Sequence, residues 1–318
     1  MEMTELQNFS FIRIKGPDAL KFLQGQVTCD MAKLEVGKVL IGAACNLQGR
    51  VIANFTLILD GKDCLMRTQL GMAEILIKTL EKYAIFSKVE LILELKFTRV
   101  LGLLGAENKK LLQETMESIP NDSNSVKIFS DAIVTKLPGA IERFEVWIRD
   151  EKFLANLKAK SQINESIDRW KREEMLQGIF HVTPKNSEKY TPQLLNYDVS
   201  GIIDFKKGCY TGQEIIARMF YRGKPKKRLF LLASDKSISN DPQVIYSLDG
   251  KSYGEEILEY CNASPGSKLP SLIFSILKTQ ITDEGVRLDL STPGESCLRI
   301  QPFPKFALTR VSENPEVS

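Results

Sequence analysis

Apolar and polar positions alternate along Asn-Phe-Ser-Phe-Ile-Arg-Ile at 8–14, the two-residue period of a half-buried strand. Gly16-Pro17-Asp18 then supplies turn and helix-start residues, and Ala19, Phe22 and Leu23 share one face of a short helix that Gly25 ends. Val39–Cys45, Arg50–Leu59 and Cys64–Gln69 are further strand-like runs, separated by turn signals at Asn46-Leu47-Gln48-Gly49 and Asp60-Gly61. Met72, Ile75, Leu76, Thr79, Leu80 and Tyr83 recur at helical spacing, and Ile85–Leu93 returns as a strand. The order β-α-β-β-β-α-β predicts helices on one face of an antiparallel sheet.

A second unit of the same kind follows. Arg99–Leu104 reads as a strand, Ala106–Met116 as a helix, 126–136 and 142–149 as strands, and 150–160 as a helix. Residues 164–178 are helical in pattern, with Ile167, Trp170 and Glu174 on one side. The stretch 181–200, rich in Pro, Asn, Ser and Tyr, predicts an ordered, extended loop. Beyond Arg228 the pattern is all-β: Leu229–Ala233, Val244–Leu248, a turn at Asp249-Gly250, Leu272–Leu277, Val286–Leu290 and Cys297–Ile300. The expected organisation is α+β, with units at 1–95 and 96–228 and a small β-barrel at 229–318.

Composition narrows the class. Hydrophobic residues make up 43% and charged residues 26% of 318, as in ordinary globular proteins. The net charge of +3 is too small for nucleic-acid binding by the whole surface, so any such role needs a local cluster. The longest apolar runs fall far short of the ~20 residues of a membrane span, and the polar, acidic start has no secretory character. A cytoplasmic protein with no membrane partner is expected. The six cysteines, at 29, 45, 64, 209, 261 and 297, form no Cys-x-x-Cys pair, and His181 is the single histidine. No resident metal is expected from that set.

Charge gathers in one place. Between Lys206 and Arg228 there are eight basic residues and one acid, a local +7. Arg222, Lys224, Lys226, Lys227 and Arg228 are candidate polyanion contacts, and Tyr210, Phe220 and Tyr221 interleave with the cations as single-stranded nucleic acid would require. Cys209 lies in the same stretch, between Gly208 and Gly212, after Lys206 and Lys207 and ahead of a helix that begins near Gln213. Cations and a helix N-terminus favour thiolate, so the expected role is a nucleophile, a transient ligand or half of a site shared with a partner.

Lys207-Gly208-Cys209-Tyr210-Thr211-Gly212-Gln213-Glu214, followed by Ala217-Arg218, resembles the signature of the YgfZ family. Leu23-Gln-Gly-Gln-Val-Thr-Cys-Asp30, Lys82-Tyr-Ala-Ile-Phe-Ser-Lys-Val89 and Asn196-Tyr-Asp198 are similar to other segments of that family. The resemblance spans essentially the whole chain. It implies a folate-binding protein of iron-sulfur cluster assembly or repair, linked to tRNA modification and related to the glycine-cleavage T-protein. It also implies that protein's fold, two ferredoxin-like α+β units and a C-terminal β-barrel around a central hole. Tetrahydrofolate or a derivative is the implied cofactor, with Phe9 and Trp170 as the aromatic binding residues. The implied partners are the iron-sulfur assembly machinery or client iron-sulfur enzymes, and tRNA.

Two positions depart from the relatives. Leu176 stands six residues after Trp170, where they place a pterin-binding glutamate. Ala53 and Asn54 stand where T-proteins carry the acid that assists one-carbon transfer, and neither is ionisable. The leading expectation is therefore an accessory protein working through Cys209. The alternatives are a tetrahydrofolate-dependent one-carbon transferase and an RNA-binding module in which Cys209 is structural.

Overall fold

The computed structural model describes residues 2–97, 99–164, 167–238, 245–247, 252–254, 257–264, 266–282, 288–290 and 298–301. The chain divides into two compact units whose segments alternate along the sequence: Met1–Trp170, His181–Lys189 and Ile202–Gln213 form the first, and Lys171–Phe180, Tyr190–Gly201 and Glu214–Ser318 the second.

The first unit runs β1 (Glu2–Glu5), β2 (Phe9–Lys15), α1 (Ala19–Gln24), β3 (Leu40–Cys45), β4 (Val51–Asp60), β5 (Asp63–Gln69), α2 (Met72–Glu81) and β6 (Glu90–Leu93). It continues with β7 (Arg99–Leu104), α3 (Ala106–Thr115), β8 (Ser125–Ile128), β9 (Ala132–Leu137), β10 (Arg143–Ile148), α4 (Glu151–Lys160) and β11 (Gln162–Asn164). A helix α5 (Asp168–Leu176) carries the chain from the first unit into the second.

Two sheets result. One is antiparallel, in the order β3-β4-β5-β2-β6; the other has the order β11-β1-β7-β10-β9-β8, with its one parallel pairing between β1 and β11. Ala19, Phe22 and Leu23 of α1 and Met72, Leu76 and Leu80 of α2 pack with Ile12, Ile14, Leu57 and Met66 on the outer face of the first sheet. Leu111 and Leu112 of α3 and Phe153, Leu154 and Leu157 of α4 pack likewise with Leu101, Phe144 and Val146 of the second. The inner faces meet: Phe11, Ile58 and Leu65 pack against Val100, Leu104, Ile133 and Trp147. The alternation read along β2 and β5 is thus the alternation between two cores.

The second unit continues with α6 (Gln213–Arg222), β12 (Lys227–Ser234), β13 (Ile245–Ser247), β14 (Ser252–Gly254), β15 (Ile257–Cys261), β16 (Ser271–Lys278), β17 (Leu288–Leu290) and β18 (Leu298–Gln301). These strands form one antiparallel sheet in the order β14-β13-β17-β18-β12-β16-β15, and β14 at one edge lies against β16 near the other, so the sheet curls on itself as a small barrel does. The signals read at Val244, Leu248, Asp249-Gly250, Val286 and Cys297 lie outside the described residues.

Several expectations shift. The strand expected at Ile85–Leu93 is confined to Glu90–Leu93, because residues 83–89 close turns through the bonds Tyr83 N–H to Leu80 O and Ser87 N–H to Ala84 O. The 181–200 stretch is not extended; it is a run of turns. Asn186 and Ser187 donate to Thr183 O, while Leu194 donates to Thr191 O and Tyr197 to Pro192 O. Pro184 and Pro192 preset φ for turn positions, and the local bonds then satisfy the backbone that an extended loop would leave to water.

Candidate functional site

The loop that carries the cysteine motif is pinned on both sides of Cys209 to the end of α1. Lys207 is buried, and its Nζ donates to the carbonyls of Gln24 (2.7 Å), Val27 (2.5 Å) and Cys29 (2.9 Å). Thr211 N–H donates to Gly25 O at 3.1 Å, and Thr211 Oγ1 donates to Gln26 Oε1 at 3.0 Å. Gly212 sits at φ +81°, where a Cβ would stand 2.4 Å from Asn46 O, so glycine alone fits there. Tyr210 is buried, which pushes its phenol pKa up, and its ring lies 5.0 Å from Lys207 Nζ.

This corrects the charge reading of the motif. Lys207 directs its ammonium at three carbonyls of the Gln24–Cys29 turn, not at the Cys209 thiol, and burial pulls its pKa down. Gly208 and Cys209 themselves are exposed, and nothing within 4 Å would meet a Cβ on Gly208. Cys29, Cys45, Cys64 and Cys261 are buried, and burial pushes the Cys29 and Cys45 thiols up to about 12 and Cys64 to about 11. Among the described cysteines, Cys209 is the exposed one.

The two aromatics expected at a folate site belong to the core cluster between the sheets, and each carries a guanidinium on its ring. Arg67 lies over Phe9 at 4.0 Å, and Arg143 over Trp170 at 4.9 Å. Trp170 is only 1% exposed, and a Cβ on Gly102 would stand 2.5 Å from its Cε3, so Gly102 is the floor on which the indole lies. The Trp170 ring is therefore not an open stacking platform, while Phe9 is half-buried. What sequence reasoning missed is the polar set beside them. Arg67 Nε pairs with Glu145 Oε2 at 3.1 Å, Arg67 Nη2 donates to Thr56 Oγ1 at 3.1 Å, and Trp147 Nε1 donates to the same Glu145 oxygen at 3.0 Å. Glu145 is fully buried, its Oε1 has no partner, and neither has Trp170 Nε1. Gly102, on which the indole lies, is the cross-strand partner of Glu145. The signal was available: a charged residue inside the apolar runs Cys-Leu-Met-Arg-Thr and Arg-Phe-Glu-Val-Trp.

Asn54 is buried on β4, next to Ala53. Its Oδ1 accepts from Val182 N–H at 2.8 Å, and its Nδ2 lies 3.1 Å from His181 Nδ1.

In the second unit, Arg218, Arg222, Lys224, Lys226 and Lys227 are exposed, as is Glu214. Arg228 is not part of that surface. It grips Asp198 through two bonds of 2.9 and 2.8 Å and also donates to Asn196 Oδ1 at 3.1 Å. With Lys207 and Arg228 both turned inward, the basic stretch presents fewer free cations than its composition counts.

Residues 1–143 match the family model for the GCVT N-terminal domain. The tRNA-modifying protein YgfZ of Colwellia psychrerythraea (strain 34H / ATCC BAA-681) is 32% identical over 274 residues, covering 83% of this chain and 82% of that protein. The chain belongs to the YgfZ family. The YgfZ protein of Yersinia enterocolitica serotype O:8 / biotype 1B is 28% identical over 318 residues, covering 97% of this chain and 93% of that one. The fold is that of the T-protein: the glycine cleavage system aminomethyltransferase T of Bartonella henselae superposes with a TM-score of 0.77 at 14% identity, over 95% of this chain and 85% of that one. As a YgfZ family member the chain keeps the aminomethyltransferase fold while placing Ala53 and Asn54 on β4.

Proposed function

We propose that this YgfZ family member is a cytoplasmic, folate-binding accessory protein of iron-sulfur cluster assembly or repair, linked to tRNA modification, and that Cys209 is its working thiol. The observation that carries this reading is the exposure of Cys209 on a loop anchored by Lys207 and Thr211, while four other thiols are buried. A thiol must reach solvent to act on a partner or ligate its metal. Among the described residues no group of three or more His, Cys, Asp or Glu side chains could hold a metal, so iron would be cargo held jointly with a partner. No helix of the described residues is long and apolar enough to cross a membrane. That these relatives are tRNA-modifying proteins by name supports the link to tRNA.

The interior polar set fits a folate. A pterin offers both N–H donors and ring acceptors, and Glu145 Oε1 and Trp170 Nε1 are a buried acceptor and donor without partners. Glu145 and Trp170 would hold the pterin, with Arg67 keeping the Glu145 carboxylate in place. A reduced folate would supply a one-carbon carrier there. The one-carbon transferase reading is disfavoured because Ala53 has no proton to move and the Asn54 amide is held by Val182 and His181. The RNA-binding reading with a structural cysteine is disfavoured by the exposure of Cys209.

In a cell lacking its own YgfZ protein, Cys209→Ser is expected to fold yet fail to restore iron-sulfur enzyme activity. Full rescue by that variant overturns the working thiol. Titration with 5-formyltetrahydrofolate is expected to quench tryptophan fluorescence saturably, and quenching unchanged in Trp170→Phe and Glu145→Gln overturns the folate site.

A further inference from the structure

The inner faces of the two sheets of the first unit carry polar residues at both ends of their apolar layer. Phe11, Ile58, Leu65 and Trp147 form part of that layer. One pleat further along the strands in one direction lie Thr56, Arg67 and Glu145; one pleat in the other lie Arg13, Asp60, Asp63 and Arg149. The second group ties the sheets together. Arg13 on β2 pairs with Glu94 at 2.6 Å, Asp60 at 2.9 Å and Asp63 at 3.3 Å, and Arg149, just past β10, takes the same Asp60 oxygen at 2.5 Å. Arg149 also donates to Phe129 O at 3.2 Å. This ionic base lies under a cleft of about 630 Å³, which Lys15, Leu95, Lys96 and Ser130 also line.

The pairing engages both guanidiniums and leaves two ammoniums over. Lys15, half-buried, and Lys96, exposed, have no ion-pair partner among the described residues, and Ser130 Oγ has no hydrogen bond there. Arg13, Lys15, Lys96 and Arg149 outnumber Asp60, Asp63 and Glu94, so the cleft is net positive. We infer that it is a second ligand site, across the apolar layer from Glu145, and that it takes the phosphate monoester group of a small organic molecule. A carboxylate is best met by a planar guanidinium fork, and both forks here are already engaged. What remains is two point-charge donors and a hydroxyl, which suit a tetrahedral group whose oxygens point several ways. Leu95, 78% exposed on the same cleft, offers an apolar contact to the body of such a molecule.

The test needs neither folate nor iron-sulfur activity, so its failure leaves the role proposed for Cys209 and folate standing. Isothermal titration at low salt compares inorganic phosphate, a nucleoside monophosphate and a 5′-phosphorylated RNA oligonucleotide. The monophosphate is expected to bind saturably and more tightly than inorganic phosphate, which has no body to meet Leu95. Lys15→Gln combined with Lys96→Gln is expected to weaken that binding about tenfold or more, because two charge-assisted contacts are lost. The melting temperature should not change, since neither ammonium is paired. Lys224→Gln combined with Lys226→Gln should bind as wild type does. No saturable binding of either phosphate at millimolar concentration, or full affinity in the Lys15→Gln, Lys96→Gln protein, overturns the site. An oligonucleotide that binds more tightly than the monophosphate, and does so through Lys15 and Lys96, overturns the small-molecule assignment and gives the phosphate to an RNA end.

Discussion

The ammonium of Lys207 lies 2.9 Å from the carbonyl oxygen of Cys29, with two further carbonyls around it, so the lysine of the motif is an internal strut that holds the Cys209 loop to the end of α1. Lys207→Met keeps the stem and removes the ammonium, leaving three carbonyls short of a donor. The expected loss is about 3 kcal/mol, since a single hydrogen bond to a charged group contributes roughly 1.5–3 kcal/mol. Urea unfolding measures it, and a midpoint equal to wild type would show that the strut carries no stability.

Alkylation separates the thiols. Iodoacetamide at pH 7 is expected to modify Cys209 in the native protein, and Cys29, Cys45, Cys64 and Cys261 only after unfolding, because burial keeps the latter away from the reagent. Peptide mass spectrometry reads the order. Native labelling of Cys45 or Cys64 as fast as Cys209 contradicts it.

Buried thiols also set an alkaline limit. The Cys29, Cys45 and Cys64 pKa values rise from 9.0 to about 12, 12 and 11, so above pH 9 the unfolded chain loses protons that the folded chain keeps. Their stabilising contribution is complete below pH 9 and is lost as pH rises towards 11–12. Tyr210, also raised by burial, acts in the same sense, while Lys207, lowered from 10.5, acts against it. The urea midpoint under reducing conditions is expected to be lower at pH 10 than at pH 8. Replacing Cys45 and Cys64 by Ala should flatten that decline.

The basic stretch divides into two kinds of residue. Arg222, Lys224, Lys226 and Lys227 changed together to Ala are expected to leave folding intact and to reduce the salt slope of RNA binding by up to about 3, near 0.7–0.9 for each phosphate no longer neutralised. Arg228→Ala strands Asp198, which is 2% exposed, and is expected to cost about 3 kcal/mol of stability. Filter binding across a salt series and urea unfolding distinguish the two outcomes. A stable Arg228→Ala protein with a reduced salt slope reverses the assignment.

Gly102→Ala would place a methyl 2.5 Å from the Trp170 ring, and the indole must shift to admit it. Overpacking of this kind costs roughly 1–3 kcal/mol. The expected signs are a lowered melting temperature and a red-shifted tryptophan emission. A spectrum identical to wild type would mean that the ring does not lie on Gly102.

The strands and helices between Phe9 and Glu81 were legible because their apolar residues form strand-like runs or recur at helical spacing, with turn signals between them. β1 was not legible: Glu-Met-Thr-Glu has a single large apolar residue, and only its pairing with β7 and β11 makes it a strand. The exposed thiol of Cys209 could be anticipated from its glycine neighbours. Spacing in a charge run, by contrast, does not tell which cations turn inward, and Lys207 and Arg228 were found only by their acceptors. The burial of Trp170 depended on Gly102, 68 positions away in sequence, a distance no local pattern spans.

The placement of β1 between β11 and β7 has a consequence for synthesis. Residues 2–5 are made about a hundred residues before the strand they join, Arg99–Leu104, and longer still before the parallel neighbour Gln162–Asn164. The five-stranded sheet can close around β2 while β1 waits unpaired. During synthesis β1 therefore pairs only after the five-stranded sheet is complete, and a ribosome stalled before residue 104 holds a nascent chain with one strand still open to other edges.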